Sequence, residues 1–144
     1  MADIFHDLPI DAPQERVFET ICTPQSLDEW RTKECEGKPG IGEIYRLGFG
    51  PDYDWAAVVE QCKPPSEFVL KMVKADADWL GTRVGLRLEP RNGSGTWVRF
   101  SDIGWPVLNE HFCVSCNCWA GYLRILRRYL EHGERVPYDD RLIV

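Results

Sequence analysis

Hydrophobic and polar positions alternate in separate short runs from the start of the chain as far as Asp102, and then the period changes. Over residues 3–10, Ile4, His6, Leu8 and Ile10 share one face of a strand, with Phe5, Asp7 and Pro9 on the other. Pro9 donates no ladder hydrogen bond, so it suits an edge or a strand end. Asp11-Ala12-Pro13-Gln14 then reads as a helix start, with Asp11 as N-cap and Gln14 completing a capping box. Val17, Phe18 and Ile21 give that helix its apolar face. Thr23 and Pro24 open a second short helix as cap and first helical residue, and Leu27 and Trp30 are its buried side.

From Arg31 onward the pattern is strand and turn. Pro39-Gly40 fits a type II turn, and Glu43–Phe49 then alternates with Tyr45, Leu47 and Phe49 on one face. Tyr53–Cys62 is a strand whose buried face stays open. Trp55, Ala57 and Val59 compete there with Ala56, Val58 and Cys62. Phe68, Leu70 and Met72 line the next strand. Thr82, Val84, Leu86 and Leu88 alternate cleanly with Arg83, Gly85, Arg87 and Glu89. Asn92-Gly93-Ser94-Gly95 predicts a hairpin loop, after which Thr96, Val98, Phe100 and Asp102 face inward. Short turns between successive strands predict an antiparallel sheet.

In the stretch Trp105–His132 the spacing lengthens to three and four. Phe112, Cys116, Trp119, Leu123, Leu126 and Leu130 fall on one side of a helix. His132-Gly133 predicts its end, and His111 and His132 are expected on its exposed side. Residues 133–144 are expected as an irregular tail on the surface of a single domain, 1–144. One long helix with one apolar stripe needs a concave partner, and the sheet encoded between residues 34 and 103 is the candidate. A gap between the two would be a small-molecule pocket.

Composition narrows the function classes. The chain has 144 residues, 44% of them hydrophobic, which is enough for one sizeable core. The net charge of −6 disfavours nucleic acid and anionic lipid as partners. No segment reaches the roughly 20 apolar residues of a membrane span. Met1–Asp7 lacks the basic head and apolar run of a signal peptide, so a cytoplasmic location is expected. The six cysteines fit small buried residues of a reducing compartment. Cys113 and Cys116 share a helix face but Cys118 does not, and no zinc-ligand spacing follows. Neither a metal nor a cofactor is expected. Gly48-Phe49-Gly50 and Gly93-Ser94-Gly95 lack the helix and Lys of a phosphate loop.

The segment Ile10-Asp11-Ala12-Pro13-Gln14-Glu15-Arg16-Val17-Phe18 resembles an opening I-x-A-P-x-x-x-V-F/W. With Trp30, Pro39-Gly40-Ile41-Gly42-Glu43, Pro64-Pro65-Ser66-Glu67-Phe68-Val69-Leu70 and Gly95-Thr96, it forms an ordered set. That set is similar to the AHSA branch of the START/SRPBCC superfamily, related to activators of heat-shock-protein-90 ATPase and to polyketide-cyclase-like proteins. Trp119, Leu123 and Leu126 resemble the G-W-x-x-x-L-x-x-L of its last helix, with Cys118 where Gly usually stands. The resemblance covers about residues 3–132. It implies an α+β helix-grip fold: a seven-stranded curved antiparallel sheet around a long C-terminal helix, with two short helices between strands one and two. It carries little about function, because the superfamily uses one scaffold for many tasks.

The expected activity is non-catalytic binding of a small hydrophobic or aromatic ligand between sheet and helix. The expected lining is Trp30, Tyr45, Phe49, Leu70, Met72, Thr82, Val84, Leu86, Phe100, Asp102, Phe112, Cys116 and Trp119, with Tyr45, Thr82 and Asp102 as orienting polar groups. No catalytic residue is assigned. One alternative is a cyclase or hydrolase using His6 and Asp102 as an acid–base pair. Another, implied by the resemblance, is a chaperone-interacting module. The identity of the ligand and the oligomeric state stay open.

Overall fold

The alternating segments assemble into one curved antiparallel sheet. The computed structural model describes residues 1–143; Val144, the last residue of the expected tail, lies outside the described residues. The elements run β1 (Ala2–Ile10), α1 (Gln14–Cys22), α2 (Pro24–Trp30), β2 (Glu34–Glu36), β3 (Ile44–Gly48), β4 (Asp54–Lys63), β5 (Glu67–Lys74), β6 (Arg83–Pro90), β7 (Thr96–Trp105), α3 (Glu110–His132) and a 3-10 helix (Tyr138–Ile143). The seven strands lie in the order β1-β7-β6-β5-β4-β3-β2. The helix-grip architecture expected from the sequence is present. Pro9 sits on an edge strand, where its missing N–H breaks no ladder.

The inward faces follow the alternation. Ile4, Leu8 and Ile10 on β1, Tyr45 and Leu47 on β3, Phe68, Leu70 and Met72 on β5, and Val84, Leu86 and Leu88 on β6 are all buried. The open question on β4 has a geometric answer. Val59 pairs with Leu70 and Cys62 with Phe68, so the ladder gains an extra residue between them. This β-bulge inverts the alternation within the strand. Ala57 and Val59 face the core before the bulge, and Cys62 packs against it afterwards. Each of the two competing faces holds in its own half.

Several local expectations change. α1 begins at Gln14 with Pro13 as N-cap and no side-chain cap, so the Asp11–Gln14 capping box does not form. The Gln14 amide instead donates to the carbonyls of Pro65 and Leu88, tying α1 to the sheet. Thr23 is the N-cap of α2 as expected, but its hydroxyl donates back to Glu19 O. The left-handed residue of the loop before β3 is Gly42 (φ 87°), not Gly40. Trp105 ends β7 and α3 starts at Glu110, where the Asn109 side chain accepts from Phe112 N. The tail is ordered: the Arg141 guanidinium donates to the carbonyls of Thr32, Asp28 and Val136 and pins the 3-10 helix beside α2.

The grip is uneven along α3. From Trp119 onward the stripe is buried, with Leu123, Leu126 and Leu130 at 3% exposure or less. Gly121 and Ile125 add a second buried row, and Gly121 faces the Arg141 carbonyl of the tail. Before Trp119 the same stripe is only half-buried at Phe112 and Cys116. Each buried large apolar side chain contributes about 1.5–3 kcal/mol, so the last turns hold the helix down. The first turns touch the sheet through Phe112, against Trp105, and Cys116, against His6, and leave room beside them.

Candidate functional site

That room is an aromatic cleft of about 430 Å³. Its sheet side is Phe49, Tyr53 and Trp55, from the end of β3 and the start of β4, with Trp79 from the β5–β6 loop. Its helix side is His111, Val114, Ser115, Cys118, Trp119 and Tyr122. Tyr138 and Leu142 of the 3-10 helix form a third wall, and Arg31, at the end of α2, completes the lining. The volume falls in the range of small-molecule sites.

Trp79 is positioned by a tight turn. Its N–H and that of Leu80 both donate to Asp76 O, Gly81 takes φ 83°, and the Thr82 hydroxyl donates to Trp79 O across 2.7 Å. Trp55 meets Trp79 edge-on at 5.0 Å between centroids, and Phe49 and Tyr53 tilt against Trp55. His111 tethers the same turn to α3: its Nδ1 lies 2.9 Å from Asp78, which also accepts from the Asn109 amide. Burial pushes the Asp78 carboxyl up, but these hydrogen bonds outweigh it and hold it below its ordinary value. The expectation that His111 points to open solvent is corrected by this contact.

Behind the aromatic walls lies a buried charge pair that is not an ion pair. Asp102 has no exposed surface. Its carboxylate accepts from Trp119 Nε1 at 3.0 Å and from Trp79 Nε1 at 3.2 Å. Trp105 adds a nearby indole that favours the carboxylate, although its Nε1 makes no hydrogen bond. Desolvation still dominates and pushes Asp102 up to about 6. Arg31 is 3% exposed, and burial lowers its guanidinium to about 10. Its Cζ lies 4.4 Å from the Trp119 ring centroid and 5.6 Å from that of Phe49. Among the described residues it forms no ion pair, and its Nε is buried without an acceptor.

The sequence-predicted residues separate into groups. Phe49 and Trp119 line the cleft, and Asp102 stands behind it. Trp30, Leu70, Val84 and Leu86 surround a void of only about 10 Å³ deeper in the core. Met72 is core, and Phe100 packs behind Trp119 at 4.5 Å. Tyr45 donates its hydroxyl to Cys22 O, and Thr82 secures the Trp79 turn. Phe112 meets Trp105 edge-on, and the Cys116 carbonyl and thiol face His6. His6 and Asp102 are not joined: His6 Nε2 is bonded to Cys116 O, whereas Asp102 is bonded to indoles. Each of the two is thus engaged by its own partner, and no hydrogen bond couples them as a pair.

The remaining lining was missed, but not for want of signal. His111, Ser115, Cys118 and Tyr122 recur at helical spacing one face round from the chosen stripe. Arg31, Trp79 and the tail carry no periodic signal, because turns place them.

Comparison with known proteins bears on the family and the fold. The sequence model of the family described as Activator of Hsp90 ATPase homolog 1-like protein matches residues 11–131. The chain belongs to that family. Its matched region runs from the turn before α1 almost to the end of α3, so Tyr138 and Leu142 of the cleft wall lie beyond it. Among solved structures, the Aha1 dimer from Colwellia psychrerythraea is similar at TM-score 0.85 and 24% identity, covering 93% of this chain and 99% of that one. Protein SSP2350 from Staphylococcus saprophyticus matches at TM-score 0.79 and 18% identity, covering 94% and 96%. CalU16 from Micromonospora echinospora matches at TM-score 0.75 and 20% identity, covering 97% and 83%. Identities this low establish a shared fold. No curated protein matches the chain. Among the described residues no helix is long and apolar enough to cross a membrane.

Proposed function

We propose that this member of the Activator of Hsp90 ATPase homolog 1-like family binds a small, mainly aromatic or apolar molecule in the cleft beneath the first turns of α3, without chemical turnover. The supporting observation is the wall of Phe49, Trp55, Trp79, Trp119 and Tyr122, left facing an open volume where close packing would otherwise have been favourable. The site shifts from the one read in the sequence, toward the β3–β4 and β5–β6 turns and the tail.

Native mass spectrometry of freshly expressed protein tests the reading. The expected result is a copurified small molecule in the parent that is absent from Ser115→Trp, whose indole would fill the cleft from α3. A bare parent protein that also binds no member of a broad aromatic panel would reject it.

Chaperone contact is the second reading. The family description names an Hsp90 ATPase activator homologue, and a protein of similar fold is named Aha1. By that likeness this chain would engage a chaperone. A pull-down that recovers none would remove the reading.

A further inference from the structure

Resting on the cleft reading above, the geometry points to a more specific guest: an aromatic or apolar molecule bearing a carboxylate or similar planar oxyanion, received by Arg31. Three observations converge on this side chain. It lines the cleft, it is 3% exposed, and its Nε is buried with no acceptor. Burying a cation without a partner is costly, and such groups are normally paired. The two aromatic contacts, to Phe49 and Trp119, engage the positive charge over ring faces and use none of its N–H donors. The guanidinium therefore keeps the in-plane fork that matches a planar oxyanion in a bidentate pair.

No protein carboxylate takes that place among the described residues. Asp102 feels the charge of Arg31 through space, but its oxygens are engaged by Trp119 and Trp79. Asp76 lines the outer part of the cleft and is exposed. The Phe49 and Trp119 rings beside the guanidinium also line the cleft and would stack the body of the guest. One end of the ligand is thus read by charge and the other by flat apolar surface. A neutral hydrocarbon of the same size would leave the fork unsatisfied.

Isothermal titration calorimetry of the full chain with a naphthoate and the corresponding uncharged naphthamide tests this, with the indole N–H resonances of Trp79 and Trp119 reporting the site. The naphthoate is expected to bind about tenfold more tightly. Arg31→Met should remove that advantage and leave the naphthamide within about twofold of the parent, and Arg31→Lys should fall between, keeping the charge but not the fork. Equal affinity of the two probes for the parent, or equal weakening of both by Arg31→Met, overturns the inference and leaves the cleft reading intact. If neither probe binds or shifts the indoles, this inference is overturned; the cleft reading falls with it only where the freshly expressed protein is also bare and binds no member of the aromatic panel. Should Arg31→Met not fold, the parent's preference together with Arg31→Lys decides: no preference, or a preference that Arg31→Lys leaves at full strength, overturns the proposal.

Discussion

Trp119 on α3 and Asp102 on β7 are joined by an indole N–H donating to a fully buried carboxylate across 3.0 Å. The bond lies where the helix changes from packed to raised. On one side Leu123, Leu126 and Leu130 are locked into the sheet. On the other the helix spans the cleft. Trp119 is therefore both the last fixed point of the core and the first wall of the site.

Truncating the two aromatics of α3 should separate stability from binding. Trp119→Ala removes a buried indole, a cleft wall and a donor to Asp102, and should cost about 3–5 kcal/mol. Phe112→Ala removes an edge contact to Trp105 from a half-buried position. It should cost about 1–2 kcal/mol and leave naphthamide affinity nearly unchanged. Urea unfolding and calorimetry check both. A large binding loss in Phe112→Ala would move the site back toward the middle of the helix stripe.

The buried carboxylate sets a pH dependence. Asp102 titrates near 3.8 when unfolded and about 6 when folded. Between those values the folded chain holds a proton that the unfolded chain has released. Stability from this group is thus full below about pH 4 and falls as pH rises through about 6, by on the order of 3 kcal/mol. Arg31 is the charged group acting on it, and its attraction only partly offsets burial. Asp102→Asn should lose this slope, so the parent-minus-variant difference in unfolding free energy should shrink across that window. A flat difference would show that the carboxyl titrates as it does in water.

Arg31 carries the opposite trade. Arg31→Met should leave the melting temperature of the ligand-free protein unchanged or higher, by up to about 2 kcal/mol in stability, because an unpaired buried cation is replaced by an apolar stem. The lost contacts with Phe49 and Trp119 limit the gain. Thermal unfolding reads the result. A strongly destabilised variant would mark the guanidinium as a structural keystone.

The tail should respond to one substitution. Arg141→Ala deletes three hydrogen bonds to the carbonyls of Thr32, Asp28 and Val136. The 3-10 helix should then exchange its amides at least about tenfold faster while the sheet stays protected. Hydrogen exchange measures this. Unchanged protection of residues 138–143 would mean that apolar contacts alone hold the tail.

The fold was legible because period and punctuation agreed: alternation at Thr82–Leu88, a hairpin signal at Asn92–Gly95, and steps of three and four after Glu110. The site was less so. Leu70 and Val84 have the same inward signature as a cavity wall, and alternation cannot tell a packed face from a hollow one. Arg31 and Trp79 gain their roles from turns that bring distant segments together. His6 and Asp102 do face inward, but the cross-strand partner of Asp102 on β1 is Ile4. Only the register shows that, and no spacing in the sequence reports it.

The surplus residue in β4 fixes which side chains the first half of that strand presents to the interior. Removing Glu60 would shift the strand's frame by one position. Pairing with β5 could continue, yet either Trp55 and Val59 or Cys62 would turn to the outside. A lineage that lost this single codon would keep a recognisable sheet; where the first half of the strand turned over, Trp55 would leave the cleft wall, and gaps of that kind in related sequences should coincide with a change of guest.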